Sequence, residues 1–152
     1  KTGILSATNT LLENAYYIIT PTALTPKEEI SEFRDFVLSL GAIPLILDYK
    51  IHDYSTAAIS HLPHMIAYSL VNLVHQIDDD KETMKTIAAG GFKDITRIAS
   101  SSPVMWQNIC ASNREPLLSL MDQYLALLTK LRGYIAHSNQ QAPLSFFQQA
   151  KD

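Results

Sequence analysis

From Tyr54 to Ile77 the chain runs for 24 residues without one Asp, Glu, Lys or Arg. No other stretch constrains the fold as much. Ile59, Leu62, Ile66, Leu70, Leu73 and Ile77 recur at helical spacing, and Ala58, Met65, Val71 and Val74 fill the remaining sides. A helix that is apolar all round belongs in the middle of a bundle or of an assembly. The run is long enough to cross a bilayer. Ser60, His61, Pro63, His64, Asn72, His75 and Gln76 dilute it, however, and no Lys/Arg or aromatic belt brackets it. A buried helix in a soluble protein is the expectation, with no membrane partner.

His61, Pro63 and His64 are the unusual content of this helix. The two histidines are three apart and share a face. Pro63 has no N–H, so it should free the carbonyl of Ile59 and bend the helix there. With the Ser60 hydroxyl, this reads as a polar pocket cut into a core. The plainer reading, in which each imidazole only bonds locally, weighs about as much. A metal site built from His61, His64, His52 and Asp53 has little support, because His-x-x-His alone is weak and no Cys pair or second His-rich element accompanies it.

The chain changes texture near residue 50. "NAYYIIT" (14–20) reads as a strand ended by Pro21. "LTPKEEISEFRDFVLSLG" reads as a helix. Thr25 is its expected cap, Pro26 its first residue, Glu28 and Glu29 sit at its positive end, and Gly41 closes it. "AIPLILD" (42–48) reads as a second strand whose proline suits an edge or a start. Strand, helix and strand make one βαβ-type unit, the tail of a larger sheet, since three elements cannot cover both faces.

Beyond Asp53 only helices are expected. A charged loop, "DDDKET", leads to a short helix stopped at Gly90–Gly91. "FKDITRIASSSP" and "VMWQNICASN" are two more. A long helix follows over about 115–137. It carries two overlapping apolar seams: Leu117, Met121, Tyr124, Leu128, Leu131 and Ile135, and beside them Leu120, Tyr124, Leu127, Leu131 and Tyr134. Two seams make a face too wide for one neighbour, which points to a second subunit. A central helix of a monomeric bundle is the other reading.

Net charge is −3 and no basic block appears, which excludes a nucleic-acid footprint. The single cysteine, Cys110, cannot form an internal disulfide and reads as a small buried hydrophobe in a reduced, cytoplasmic setting. The chain opens with neither Met nor a signal peptide, and a fragment is expected.

A second polar cluster is "GGFKDITR" (90–97). Phe92, Ile95, Ile98 and Ala99 share one side of this short helix, with Lys93, Asp94 and Arg97 on the other. Two cations and a carboxylate can hold an anion, with Asp94 orienting the planar fork of Arg97. Gly90 permits close approach of backbone to a ligand. The spacing is not that of a phosphate loop. Taken alone, the cluster is more often a solvated face. Trp106, the only tryptophan, is either core or the wall of an apolar ring site.

Taken together, "ENAYYIITPT", "HD" followed by "AISHLPHMIAYSLVN", and "AAGGFKDITRIASSSPVMW" resemble the prephenate dehydrogenases and their arogenate-using relatives. The resemblance covers nearly the whole chain and implies a mainly α fold. Residues 1–48 would be an α/β remnant, strand-helix-strand, of a dinucleotide-binding domain. Residues 49–152 would be an all-helical dimerisation and substrate-binding domain, forming a homodimer.

The implied reaction is the NAD- or NADP-dependent oxidative decarboxylation of prephenate to 4-hydroxyphenylpyruvate in tyrosine biosynthesis. By resemblance Arg97 anchors a substrate carboxylate, His64 hydrogen-bonds the substrate with Ser60 and His61 close by, Gly90 borders the site, Lys93 and Asp94 form a gating ion network, and Trp106 lines the cleft. No Gly-x-Gly-x-x-Gly fingerprint and no His-Pro catalytic motif of the family are present. Hence no catalytic residue, bound cofactor or metal is expected here, and the parent enzyme is expected to carry the missing parts. A non-enzymatic dimerisation module and an arogenate-specific dehydrogenase are the alternatives.

Overall fold

The computed structural model describes residues 4, 7–137 and 141–151. The chain divides into two compact units, Lys1–Ser55 and Thr56–Asp152. The sequence places the change of texture slightly earlier, at 48/49.

In the first unit, β1 (Tyr16–Ile19) and β2 (Ile43–Ile46) pair in parallel, with Tyr16 opposite Ile43 and Ile19 opposite Ile46. Helix α1 (Lys27–Ser39) connects them. Ile19, Val37 and Ala42 form the core, with Leu12 and Tyr17 packed against it. Both strands are shorter than the sequence suggests. Asn14 has φ 57° and turns the chain ahead of β1. Thr25 does not cap α1. Its hydroxyl accepts from the N–H of Thr22 at 3.1 Å, and the helix starts behind Pro26 with no side-chain cap. Gly41 does close the helix, at φ +76°.

The sheet is covered on one face only. Tyr16 and Ile18, with their neighbours Ile43 and Leu45, are exposed on the other. The N–H groups of Ile43 and Leu47 donate to Ala15 and Ile19 across the pair. By alternation the nitrogen of Pro44 faces the outer edge, where it has no hydrogen to donate. Thus β2 has the character of an edge strand, as the proline suggests.

A helix runs unbroken from Tyr49 to Ile77. It comprises α2 (Tyr49–Thr56), a π turn (Ala57–His61) and α3 (Leu62–Ile77). Pro63 sits two residues past the π turn. There the N–H of Leu62 reaches back five residues to the carbonyl of Ala57. The widened turn accommodates a residue that cannot donate and whose ring crowds the turn before it.

The second unit continues with α4 (Thr83–Ile87), α5 (Gly90–Thr96), a 3-10 turn (Arg97–Ser100), α6 (Pro103–Ser112), α7 (Arg114–Ala136) and α8 (Gln141–Gln149). Gly90 and Gly91 open α5 rather than ending α4. Asp78 and Asp79 fold back to cap α4. Asp78 accepts from the N–H groups of Met84 and Lys85, and Asp79 from those of Lys81 and Thr83.

The helix expected to be buried all round is buried on one side only. Ala57, His61 and Ala67 are enclosed, whereas Ile59 is 80% exposed and Leu73 and Ile77 are open. Helix α7 shows the same asymmetry. Leu117 and Leu120 are buried, while Leu125, Leu127, Leu128 and Ile135 are exposed. Between α3 and α7 runs an apolar groove of about 460 Å³ lined by Leu62, Ile66, Leu70, Met121, Tyr124 and Leu128, among others.

Candidate functional site

The two histidines of the Pro63 segment converge on Trp106, which α6 presents. Ser102 caps α6, its hydroxyl accepting from the N–H of Met105, and Pro103 occupies the first turn. Trp106 is 6% exposed. The His64 ring stacks on the indole at 3.9 Å between centroids and 28° between planes. The His61 ring meets it edge-on at 5.9 Å and 82°, and Tyr68 does likewise at 6.5 Å and 69°. These are favourable geometries for rings, worth about 0.5–1.5 kcal/mol per pair beyond burial.

Each imidazole is held by a different bond. His64 Nδ1 lies 2.9 Å from the carbonyl of Ser60. A carbonyl only accepts, so Nδ1 carries the hydrogen and, in the neutral ring, Nε2 is an acceptor. That Nε2 has no partner among the described residues and is not enclosed. His61 is 9% exposed, and its Nδ1 accepts from the Asn113 amide at 3.2 Å. The two rings are therefore in opposite tautomers. The indole N–H of Trp106 is enclosed without a partner among the described residues.

The 3-10 turn carrying Arg97 packs on α3. The Tyr68 hydroxyl, one turn beyond His64, ties the two together by donating to the carbonyl of Ser101 at 3.0 Å. Arg97 is exposed and makes no ion pair among the described residues. Asp94, expected to orient it, is also exposed and makes none among them. Lys93 instead borders a separate cleft of about 310 Å³ with Val71, His75, Asp78 and Glu82. Among the described residues, no ion pair joins Lys93 to Asp94, the two residues expected to form a gating network. Gly90 is open, and a side chain there would meet nothing within 4 Å. Ser60 contributes its carbonyl through the His64 bond.

Of the residues proposed as metal ligands, His52 pairs with its neighbour Asp53 at 2.9 Å, in the first unit. Among the described residues, no group of three or more His, Cys, Asp or Glu could hold a metal ion. Cys110 is half-buried and its thiol donates to Met65 Sδ at 3.7 Å. Asn113 and Tyr68 belong to the site but were not legible in the sequence. Their partners lie 52 and 33 residues away, and no local pattern marks such pairs.

The arrangement offers an aromatic wall, one presented imidazole nitrogen and, on an adjoining turn, a guanidinium with no ion pair among the described residues. Groups of these types can take up a small anionic ring compound. A family model described as "Prephenate dehydrogenase, dimerization domain" matches residues 48–149. The prephenate dehydrogenase of Bacillus subtilis is 37% identical over all 152 residues, which span 41% of that relative. The structure of the A. aeolicus prephenate dehydrogenase in complex with hydroxyphenyl propionate and NAD+ matches 99% of this chain and 53% of that one. Its TM-score is 0.93 at 28% identity. Synechocystis arogenate dehydrogenase matches 93% of this chain and 52% of its own, with a TM-score of 0.87 at 26% identity. The chain thus spans about two fifths to one half of the proteins it resembles.

Proposed function

Since the chain belongs to the prephenate dehydrogenase dimerization-domain family, we propose that it is the substrate-binding and dimer-forming part of an NAD- or NADP-dependent prephenate dehydrogenase. The observation that carries this is the stack of His64 on Trp106, with Arg97, which makes no ion pair among the described residues, on the turn packed against the same helix. Prephenate is a small ring bearing two carboxylates. A guanidinium matches a carboxylate with two parallel N–H···O bonds. The indole supplies an apolar wall, and His64 Nε2 a directional polar contact.

In the reaction, hydride leaves the ring carbon bearing the hydroxyl, and loss of carbon dioxide makes the ring aromatic. The nicotinamide cofactor supplies the hydride acceptor. No residue of this chain forms a nucleotide fingerprint, so cofactor and catalytic base are assigned to other parts of the longer enzyme. The residues here bind, orient and keep water from the ring.

The exposed apolar residues of α3 and α7 are assigned to a homodimer interface, not to lipid. The helix Tyr49–Ile77 is long and apolar enough to span a membrane, but its π turn and buried His61 serve a protein site. We also infer a cytoplasmic setting for it, as a tyrosine-biosynthetic enzyme without nucleic-acid partners.

The test is turnover by the full-length enzyme. It should form reduced nicotinamide and carbon dioxide from prephenate, while the 152-residue chain alone should do neither. A full-length enzyme inert to both prephenate and arogenate would overturn the reading.

A further inference from the structure

Resting on the substrate site proposed above, we propose that Tyr68 is a positioning residue that sets where Arg97 stands relative to the Trp106 wall.

Arg97 opens a 3-10 turn, Arg97–Ser100, directly behind α5. Bonds within the turn hold its shape. The Ser100 hydroxyl donates to the Arg97 carbonyl at 2.8 Å. The hydroxyl and the N–H of Ser101 donate to the Ile98 carbonyl at 2.8 and 3.2 Å. None of these bonds fixes the place of the turn on α3. Hydrogen-bond geometry in a 3-10 turn is also poorer than in an α-helix, so the turn holds its own position weakly.

Tyr68 supplies the missing restraint. It is half-buried on α3. Its hydroxyl donates to the Ser101 carbonyl at 3.0 Å, and its ring meets the Trp106 indole edge-on at 6.5 Å and 69°. Among the described residues, no other side-chain hydrogen bond joins residues 97–101 to another element. The phenol is thus held at its ring by a buried indole and at its oxygen by the turn. The same indole is the surface on which His64 stacks. The aromatic wall and the guanidinium are therefore placed relative to each other through one side chain. Arg97 is exposed on a long stem, and its fork meets a carboxylate with two parallel bonds only from a correctly placed backbone. Tyr68 acts through Arg97, so its loss should fall on substrate binding more than on the chemical step.

The experiment measures KM and kcat for prephenate in the full-length enzyme, in Tyr68→Phe, in Arg97→Ala and in the double variant. Tyr68→Phe removes one oxygen. It should raise KM about three- to tenfold, the scale of one hydrogen bond, and lower kcat by a smaller factor. Beside Arg97→Ala the same change should alter KM by less than about twofold, because the group it places is gone. An enzyme with p-aminophenylalanine at this position keeps a donor and should recover most of the loss. An unchanged KM in Tyr68→Phe overturns the proposal. So does a full effect that persists beside Arg97→Ala, since Tyr68 then acts without Arg97. A Tyr68→Phe enzyme that unfolds overturns it as well, because the hydroxyl then serves the fold at large. Turnover of prephenate with a KM indifferent to Tyr68→Phe removes this proposal alone. Turnover of neither prephenate nor arogenate removes the functional reading, and this proposal with it.

Discussion

His64 and Trp106 lie face to face, 3.9 Å apart, although 42 residues of chain separate them. The bond from His64 to the Ser60 carbonyl and the cap on α6 hold the two rings in place. Because Trp106 is the only tryptophan, it reports on that imidazole directly. Its emission should change in His64→Asn, which removes the stacked ring, and change less in His61→Asn, since that ring meets the indole edge-on. Emission unaltered in His64→Asn would contradict the stack.

Arg97 has no ion-pair partner among the described residues, so little of the fold depends on it. In the full-length enzyme, Arg97→Ala should lower kcat/KM for prephenate about 30- to 1,000-fold, the range of roughly 2–4 kcal/mol for a bidentate charged contact. The melting temperature should hardly move. Arg97→Lys should recover only part of the loss. A threefold effect or less would return Arg97 to a solvated face.

The open apolar faces of α3 and α7 predict association. The chain should sediment at twice its mass of 17.0 kDa. Leu125→Asp should shift it towards a single chain, because Leu125 lines the groove and is exposed. The folded protomer should lose little, as surface changes outside special sites usually stay within about 0.5 kcal/mol. Sedimentation as a single chain before substitution would refute the interface.

Gly41 ends α1 at φ +76°, and an added Cβ would come 3.3 Å from the Glu13 side chain. Gly41→Ala therefore faces strain and a close contact together. A loss of about 1–2 kcal/mol in the α/β unit is expected by denaturant unfolding.

Asp79 is held below the usual carboxylate range, first by the Thr83 backbone N–H and then by the Thr83 hydroxyl. A depressed value means the contribution is present above the unfolded-state value of about 3.8 and is lost as pH falls through the folded one. Amide exchange in α4 should therefore quicken under strong acid, and Asp79→Asn should show much of that quickening at neutral pH.

Periodicity made the helices legible. The seams of α7 and the run 54–77 gave both their existence and an approximate extent, because apolar spacing is a local property of the chain. The two strands were visible for the same reason, though each is shorter than its apolar run and Asn14 turns the chain ahead of β1. Thr25 misled because Pro26 and the Thr22 hydrogen bonds draw its hydroxyl away from the helix end. Helix α8 went unread, as Gln-rich sequence around Pro143 gives weak spacing. At the site, His61 and His64 were legible as a pair, but their partners were not. Asn113, Trp106 and Tyr68 come together only through packing. The apolar surround of 54–77 was read as burial, yet within this chain half of it is bare.

The π turn at Ala57–His61 bears on how this helix could have arisen. It holds one residue more than a regular turn would, and it lies where Pro63 would otherwise strain the ladder. It can be viewed as a single-residue insertion that the helix absorbed instead of breaking. Every side chain before it is then rotated by about 100° relative to those after it. Deleting Ala58 should restore a regular hydrogen-bond ladder through this turn. His61 and His64 both follow that position, so their shared face would survive the deletion of one codon while the residues before it changed face.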